Sequence, residues 1–400
     1  MQPYDLLCEI ERRWPARLAG TPAEKEAQER LGEELAALGG SLDWHRFTWP
    51  PHLYGALALH FGLGVVGALV AKKRPGLALA LHAVTAASFV SEATRRGLVL
   101  RNLWPAASSQ NLLASFRAPG DGSPVRKRVV LLAHADSAYT GFIFNPAVLK
   151  AVVGPPPADG GAKGKQLVLP TASLAVLAAL DLVRLTGHAP RWIDTATTLA
   201  AIPPAIVAAL NLEVVLRNHV VPGAADNLSG CVAVVELARR LAPGLAAGTE
   251  LVVVITGCEE AGTGGADRLA RDMKGTWSTD STTVVAIDTL TNGDLFYLEE
   301  GELSRLPAPP SLVRAIEETS AEADMPRVER YVVPTGATDA LPFLVRGYEA
   351  IALTSVDRVI GAPRNYHHPT DTAANVSPDE LARSIDFSER FLRRVLGSGG

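Results

Sequence analysis

Apolar and polar positions along the chain fall into two alternating patterns. Eight segments read as strands, SLDWHRFTW, SQNLLASF, RKRVVLLAHAD, LVVVITG, TVVAID, DLFYLEE, RVERYVV and AIALTS, and the β-branched and aliphatic runs VVLLA, LVVVITG and VVAI among them read as buried ones. Between them lie stretches whose apolar positions recur at helical spacing. The first, TPAEKEAQERLGEELAALGG, starts at Thr21-Pro22, carries Ala27, Leu31, Leu35 and Leu38 on one face and stops at Gly39-Gly40. Others are SGCVAVVELARRL, GADRLARDM, SLVRAIEETSAEA, TDALPFLV and SPDELARSIDFSERFLRRVL. About eight strands with helices between them predict an α/β fold, a three-layer sandwich around a mixed central sheet.

A third pattern interrupts this alternation twice. Phe47 to Ala71 has no Asp, Glu, Lys or Arg for 25 residues, Gly76 to Ser91 none for 16, Gln166 to Leu180 none for 15 and Thr195 to Leu212 none for 18. Each pair is joined by a basic turn, around Lys72-Lys73-Arg74-Pro75 and around TGHAPRW, and the second follows a Pro/Gly linker at 152–165. These stretches read as two apolar helical hairpins inserted in the α/β unit, the first at 51–100 and the second, with its linker, at 141–217, which leaves 1–50, 101–140 and 218–400 for that unit. A helix that crosses a bilayer needs about 18 or more residues, and two of the four runs reach that length. Gly64 with Ala68 and Gly67 with Ala71 have the small-residue spacing that allows close helix contact in lipid.

The functional reading is therefore a lipid bilayer as partner and a place in the cell membrane. A hydrophobic lid or dimerisation bundle in a soluble protein is the alternative, favoured by His60, His82, Asp181, Glu213 and the Pro203-Pro204 break. Charge assigns no side: Lys72, Lys73, Arg74, Arg184 and Arg191 mark the turns, while Arg95, Arg96, Arg101, Lys163, Lys165 and Arg217 mark the opposite ends.

Composition narrows the chemistry. Net charge is −4 and no dense block of Lys and Arg occurs, so nucleic acid is excluded as a partner. The three cysteines, Cys8, Cys231 and Cys258, are too scattered for a disulfide framework or a thiolate metal site, so a metal here is held by nitrogen and oxygen. The opening residues carry acids and arginines where a secretory signal needs an apolar stretch, so no cleavable targeting segment is expected.

Three of the strand runs end on metal-binding side chains: VVLLA on His134 and Asp136, LVVVITGC on Glu259 and Glu260, and VVAI on Asp288. Ligands of open α/β sheets gather at the carboxyl ends of strands, so one sheet edge collects an imidazole and several carboxylates. Glu299-Glu300, another acidic pair, reads as a solvated charge run. His45, His52, His60, His82, His188 and His219 have no spacing partner and read as structural or surface residues.

In order, the chain gives His134-Ala-Asp136, Asp226-Asn227 before a helix, Glu259-Glu260 after a strand, Asp288, and His367-His368-Pro-Thr-Asp371-Thr. This succession resembles the M28 family of zinc peptidases, whose soluble relatives lack the two insertions. The resemblance implies two Zn2+ ions, with Co2+ or Mn2+ able to fill the same cage. It implies that Asp226 bridges them, that His134 and Asp288 complete one site, and that Glu260 and His367 complete the other. His367 is preferred over His368 because it lies four residues before Asp371. Glu259 would be the general base, and Asp136 would fix the tautomer and orientation of His134. Asp339 lies in a family-like stretch, GATDALPF, but is followed by Ala340 instead of a polar residue, and no role is assigned to it.

The implied activity is hydrolysis of peptide bonds by an aminopeptidase, with peptides as substrate. A carboxypeptidase, dipeptidase or other amidohydrolase on the same site, a one-zinc glutaminyl-cyclase-like transferase and a non-enzymatic membrane scaffold are the alternatives.

Overall fold

Eight strands form one mixed sheet in the computed structural model, which describes residues 1–157 and 164–397; the predicted linker and the Gly-rich tail lie partly outside them. The strands are β1 (Ser41–Trp49), β2 (Ala107–Arg117), β3 (Lys127–His134), β4 (Thr249–Thr256), β5 (Thr282–Ile287), β6 (Asp294–Glu299), β7 (Glu329–Val332) and β8 (Glu349–Val356). Their order is β1-β2-β4-β3-β5-β8-β6-β7. The central run β4-β3-β5-β8 is parallel, and β1, β2 and β6 join by antiparallel pairing.

Side chains alternate across a strand, and both faces of this sheet are covered. Val129 and Leu131 of β3 enter one core with Val253 and Ile255 of β4, while Val130 and Leu132 enter the other with Val252 and Val254. That is why the central strands read as unbroken apolar runs. The first core is closed by the helices α1 (Pro3–Arg13), α2 (Pro22–Ala37), α8 (Ser229–Leu241), α10 (Pro310–Ser320) and α12 (Pro378–Leu396), the second by α9 (Gly264–Asp272) and α11 (Leu341–Leu344). The last helix shows how local chemistry sets its ends. The Ser377 hydroxyl accepts from the Glu380 backbone N–H at its start, and Gly397 takes a left-handed φ of 76° at its end.

The apolar stretches form four helices, α3 (Leu53–Val70), α4 (Pro75–Ala93), α6 (Val168–Leu185) and α7 (Trp192–Arg217), with a short α5 (Pro146–Val152) before the second pair. Each of the four is long and apolar enough to cross a membrane by length and composition. They pack as a ring in which α3 touches α4 and α7, and α6 touches the same two. The expected break at Pro203-Pro204 does not divide α7, which runs through both prolines along the side of α3.

Two of the small residues mark close approaches. A Cβ on Gly64 would come within 2.4 Å of the Leu174 side chain on α6, and one on Gly67 within 2.5 Å of His82 on α4. Inside the ring, His60 Nε2 meets Ser88 Oγ at 2.8 Å, and His82 meets Asp181 at 2.6 Å and the Gly64 carbonyl at 2.9 Å. Val66, Leu69, Val84, Val176, Leu199, Ile202 and Ile206 face outward.

Glu299-Glu300 is a correction. Both side chains are buried, Glu299 paired with Arg305 and Glu300 accepting from the Thr338 hydroxyl, so this acidic pair is an internal fixture and not a solvated run. The helix α1 was not anticipated either; Leu6, Leu7 and Ile10 are its buried face.

Candidate metal centre

Because β4, β3 and β5 are parallel neighbours, their carboxyl ends lie side by side. His134 is the last residue of β3, Glu259 and Glu260 stand in the turn after β4, and Asp288 directly follows β5. Asp226 comes from the turn before α8, and His367 from the loop after β8. All five predicted ligands and Glu259 meet at this edge.

Asp226 is the hub. Its Oδ1 lies 3.2 Å from His134 Nε2 and its Oδ2 3.2 Å from His367 Nε2. His134 Nε2 also faces Asp288 Oδ1 and Glu259 Oε2, each at 3.9 Å, and His367 Nε2 faces Glu260 Oε1 at 3.2 Å. The donor atoms of His134, Asp226 and Glu260 lie within 4.8 Å of one another. His368, by contrast, turns away to Thr370.

The supporting contacts are backbone-directed. Asp136 accepts from the Glu259 N–H at 3.0 Å and the Glu260 N–H at 2.9 Å, which fixes the turn that carries both glutamates. This differs from the expected role: His134 Nδ1 meets the Asp136 backbone carbonyl at 3.2 Å, while the Asp136 carboxylate is 3.7 Å away because it faces the two amides. Asp371 acts the same way on the other side, accepting from Ala225 N at 2.7 Å and Asp226 N at 3.1 Å. The side chain of Asn227 links the Asp226 turn to Thr289 N and the Ile287 carbonyl, next to Asp288.

Burial of so many acids sets the electrostatics. Desolvation raises Glu259 well above the usual carboxylate range, and it lifts Asp288 to about 7, with Asp226 adding repulsion. Burial works against charge on His367 as well, but Glu260 and Asp226 outweigh it and hold the imidazole up at about 10. On Asp226, burial is overcome by the two imidazoles, and the acid falls below its ordinary value. Glu260 Oε1 is buried and has no hydrogen-bond partner. A buried carboxylate oxygen and an imidazole nitrogen facing each other at 3.2 Å, within an excess of carboxylates, fit divalent cations: positive charge is what such a pocket lacks. The all-nitrogen-and-oxygen donor set fits zinc.

Sequence reasoning missed several participants. Arg17 is fully buried and donates to the carbonyls of Ala135, Trp14 and Gly223, tying the His134 loop to the Asp226 turn; an isolated arginine carries no pattern by which to find it. Asp339 is buried against the Thr256 hydroxyl, with one oxygen lacking a partner, and burial raises it to about 6. Tyr54, at the start of α3, places its hydroxyl 3.4 Å from His367 Nδ1. It lies in an apolar run read only for its hydropathy.

Similar solved structures include a zinc aminopeptidase from Bacillus subtilis (TM-score 0.58, 13% identity, 98% of this chain and 94% of that one). An aminopeptidase from Aneurinibacillus sp. strain AM-1 gives a TM-score of 0.54 at 13% identity over 98% and 93% of the two chains. A glutaminyl cyclase from Bacteroides thetaiotaomicron gives 0.54 at 14% over 98% and 96%. At these identities the likeness establishes the fold. No curated protein matches the sequence. Residues 206–391, which carry Asp226, Glu259, Glu260, Asp288 and His367, match the model of peptidase family M28.

Proposed function

We propose that this chain is a two-metal exopeptidase, an aminopeptidase, held in a bilayer by its four apolar helices. The observation that carries the reading is Asp226, whose two oxygens each stand 3.2 Å from a different imidazole. One carboxylate shared between two histidines on opposite sides is the arrangement two cations need.

His134, Asp226 and Asp288 would hold one zinc ion and His367, Asp226 and Glu260 the other, and such a pair supplies an acidified water and a polarised carbonyl. Glu259 takes a proton from the attacking water and returns it to the departing amine. Its Oε2 lies 3.9 Å from His134 Nε2, within the pocket. Its backbone is fixed by Asp136, and burial raises its carboxyl above the usual range. Asp371 and Asn227 hold the Asp226 turn in register with Asp288.

The membrane reading is supported by the outer face of the bundle, which exposes Leu69, Val176, Leu199 and Ile206, while His82 and Asp181 pair inside beside an apolar cluster of Phe61, Phe89 and Leu174. It is tested by extraction: the chain should resist alkaline washing of membranes and require detergent for release.

The enzymatic reading is tested by metal analysis together with a pair of peptides. Two equivalents of zinc per chain, with cleavage of a free peptide and none of its N-acetylated form, are expected. Cleavage of the acetylated peptide would make it a carboxypeptidase or another amidohydrolase. One equivalent of zinc with cyclisation of an N-terminal glutamine would replace the peptidase reading altogether.

A further inference from the structure

We propose that the first helical hairpin is a working part of the metal centre as well as an anchor: Tyr54 at its beginning orients His367, and Glu92 at its end, through Arg101, holds the Glu259–Glu260 turn. The inference rests on the two-metal reading above and goes beyond it, because it assigns to inserted helices a role in shaping the site.

The first contact is made by α3. Tyr54 stands in its first turn and is almost fully buried, with its hydroxyl 3.4 Å from His367 Nδ1. When Nδ1–H donates to this oxygen, the lone pair of the imidazole lies on Nε2, the atom that faces Asp226 and Glu260. Partners of this kind fix the tautomer and the ring plane of a ligand histidine. The rest of the ring is enclosed by aromatic groups: Tyr366 stacks at 4.0 Å and Phe144 lies at 4.5 Å between centroids, and Phe144 in turn packs edge-on against Tyr54. Tyr54 is the polar member of that enclosure that reaches Nδ1.

The second contact is made by the end of α4. Glu92 Oε1 accepts from Arg101 Nη1 at 2.9 Å. Arg101 is fully buried, donates through Nε to the Pro50 carbonyl at 3.1 Å, and donates through Nη2 to the carbonyl of Ala261. Trp49 Nε1 donates to the same carbonyl at 2.8 Å. Ala261 immediately follows Glu260. The turn is thus gripped from both sides, by Asp136 at the amides of Glu259 and Glu260 and by Arg101 and Trp49 at the next carbonyl. Little room remains to shift: a Cβ on Gly262 would lie 2.8 Å from Arg101 Nη1, and φ there is +81°. Both ends of one hairpin therefore touch loops that carry proposed ligands, one beside His367 and one beside Glu260.

The test uses the full chain in detergent micelles. Tyr54→Phe keeps the ring and removes the hydroxyl; Glu92→Gln keeps the shape and removes the charge; Asp181→Asn perturbs the bundle away from both ends and serves as control. Zinc affinity is read by chelator competition, and the visible absorption of the cobalt-loaded protein reports ligand geometry. Tyr54→Phe should weaken one of two zinc ions about tenfold and shift the cobalt bands. Glu92→Gln should shift the bands with a smaller loss of affinity, and Asp181→Asn should match the wild type. Wild-type affinity and spectra in both Tyr54→Phe and Glu92→Gln, with two ions bound, would overturn the hairpin's role and leave the two-metal reading intact. Equal changes in Asp181→Asn would reduce the contacts to general bundle stability and also overturn it. A wild-type chain that binds fewer than two ions would remove the two-metal reading and this inference together.

Discussion

The α/β domain and the four-helix bundle use similar residues in opposite ways. In the domain, valines and leucines of β3, β4 and β5 are fully buried, and the polar groups collect at one sheet edge where the strands end. In the bundle, His60, His82, Ser88 and Asp181 face inward and make hydrogen bonds, while Leu69 is 79% exposed and Leu199 60%. An apolar side chain takes the side that excludes water, and the two regions differ in where that side lies. The domain hides its apolar groups from water by burying them, and the bundle is arranged as though water were already absent outside it. The same contrast separates two kinds of buried polarity: the metal-centre carboxylates are in excess of their imidazole partners, whereas in the bundle each imidazole has its own partner, His60 with Ser88 and His82 with Asp181.

The sharpest way to isolate the domain's edge is Glu259→Gln. It removes the proton acceptor and leaves every proposed ligand in place, so peptidase turnover should fall by about 10²–10⁴-fold with zinc content unchanged. Steady-state rates and metal analysis on one preparation check it. A loss of zinc along with turnover would make Glu259 a ligand and redraw the centre.

Leu131→Ala and Leu69→Ala set the two regions against each other directly. Leu131 is fully buried in β3, so its truncation should cost about 2–5 kcal/mol, whereas the Leu69 change at the bundle surface should stay within about 0.5 kcal/mol. Denaturation midpoints in the same detergent give both values. Comparable losses would show that the outer face of the bundle is packed against protein. Ile206→Arg asks what that face meets. At mid-bilayer an arginine costs about 3 kcal/mol, so the fraction resistant to alkaline extraction should drop, while an exposed isoleucine in water would accept arginine at little cost.

Much of this organisation was legible in the sequence, for identifiable reasons. The central strands were visible because strands buried on both faces must be apolar throughout, and the edge carrying His134, Glu259, Glu260 and Asp288 followed from where those runs stop. Asp226 and His367 were found only through the resemblance, since a carboxylate before a helix and a histidine in a loop have no period. Contacts that depend on tertiary approach were not legible. Arg17 reaches Gly223 across the fold, Asp136 turns to amides instead of to His134, and Tyr54 reaches His367 from an inserted helix. Glu299-Glu300 misled because local charge says nothing of Arg305 and Thr338 arriving from later in the chain.

A small expected effect at a buried pair separates the environments most finely. His82 and Asp181 link α4 to α6 at 2.6 Å inside the bundle, and one Asp181 oxygen has no hydrogen-bond partner. If the pair were enclosed in a water-soluble bundle, Asp181→Ala would strand the imidazole against a fully hydrated unfolded state, and losses of about 3–5 kcal/mol accompany broken buried ion pairs. In lipid the reference differs, because helices that separate within the bilayer find other polar partners, and such contacts average about 0.6 kcal/mol. The bilayer reading therefore predicts a modest loss for Asp181→Ala, measured as a shift in denaturation midpoint in micelles, even though the pair is buried and short. A loss of several kcal/mol would place the bundle in water and make its apolar exterior an interface with protein.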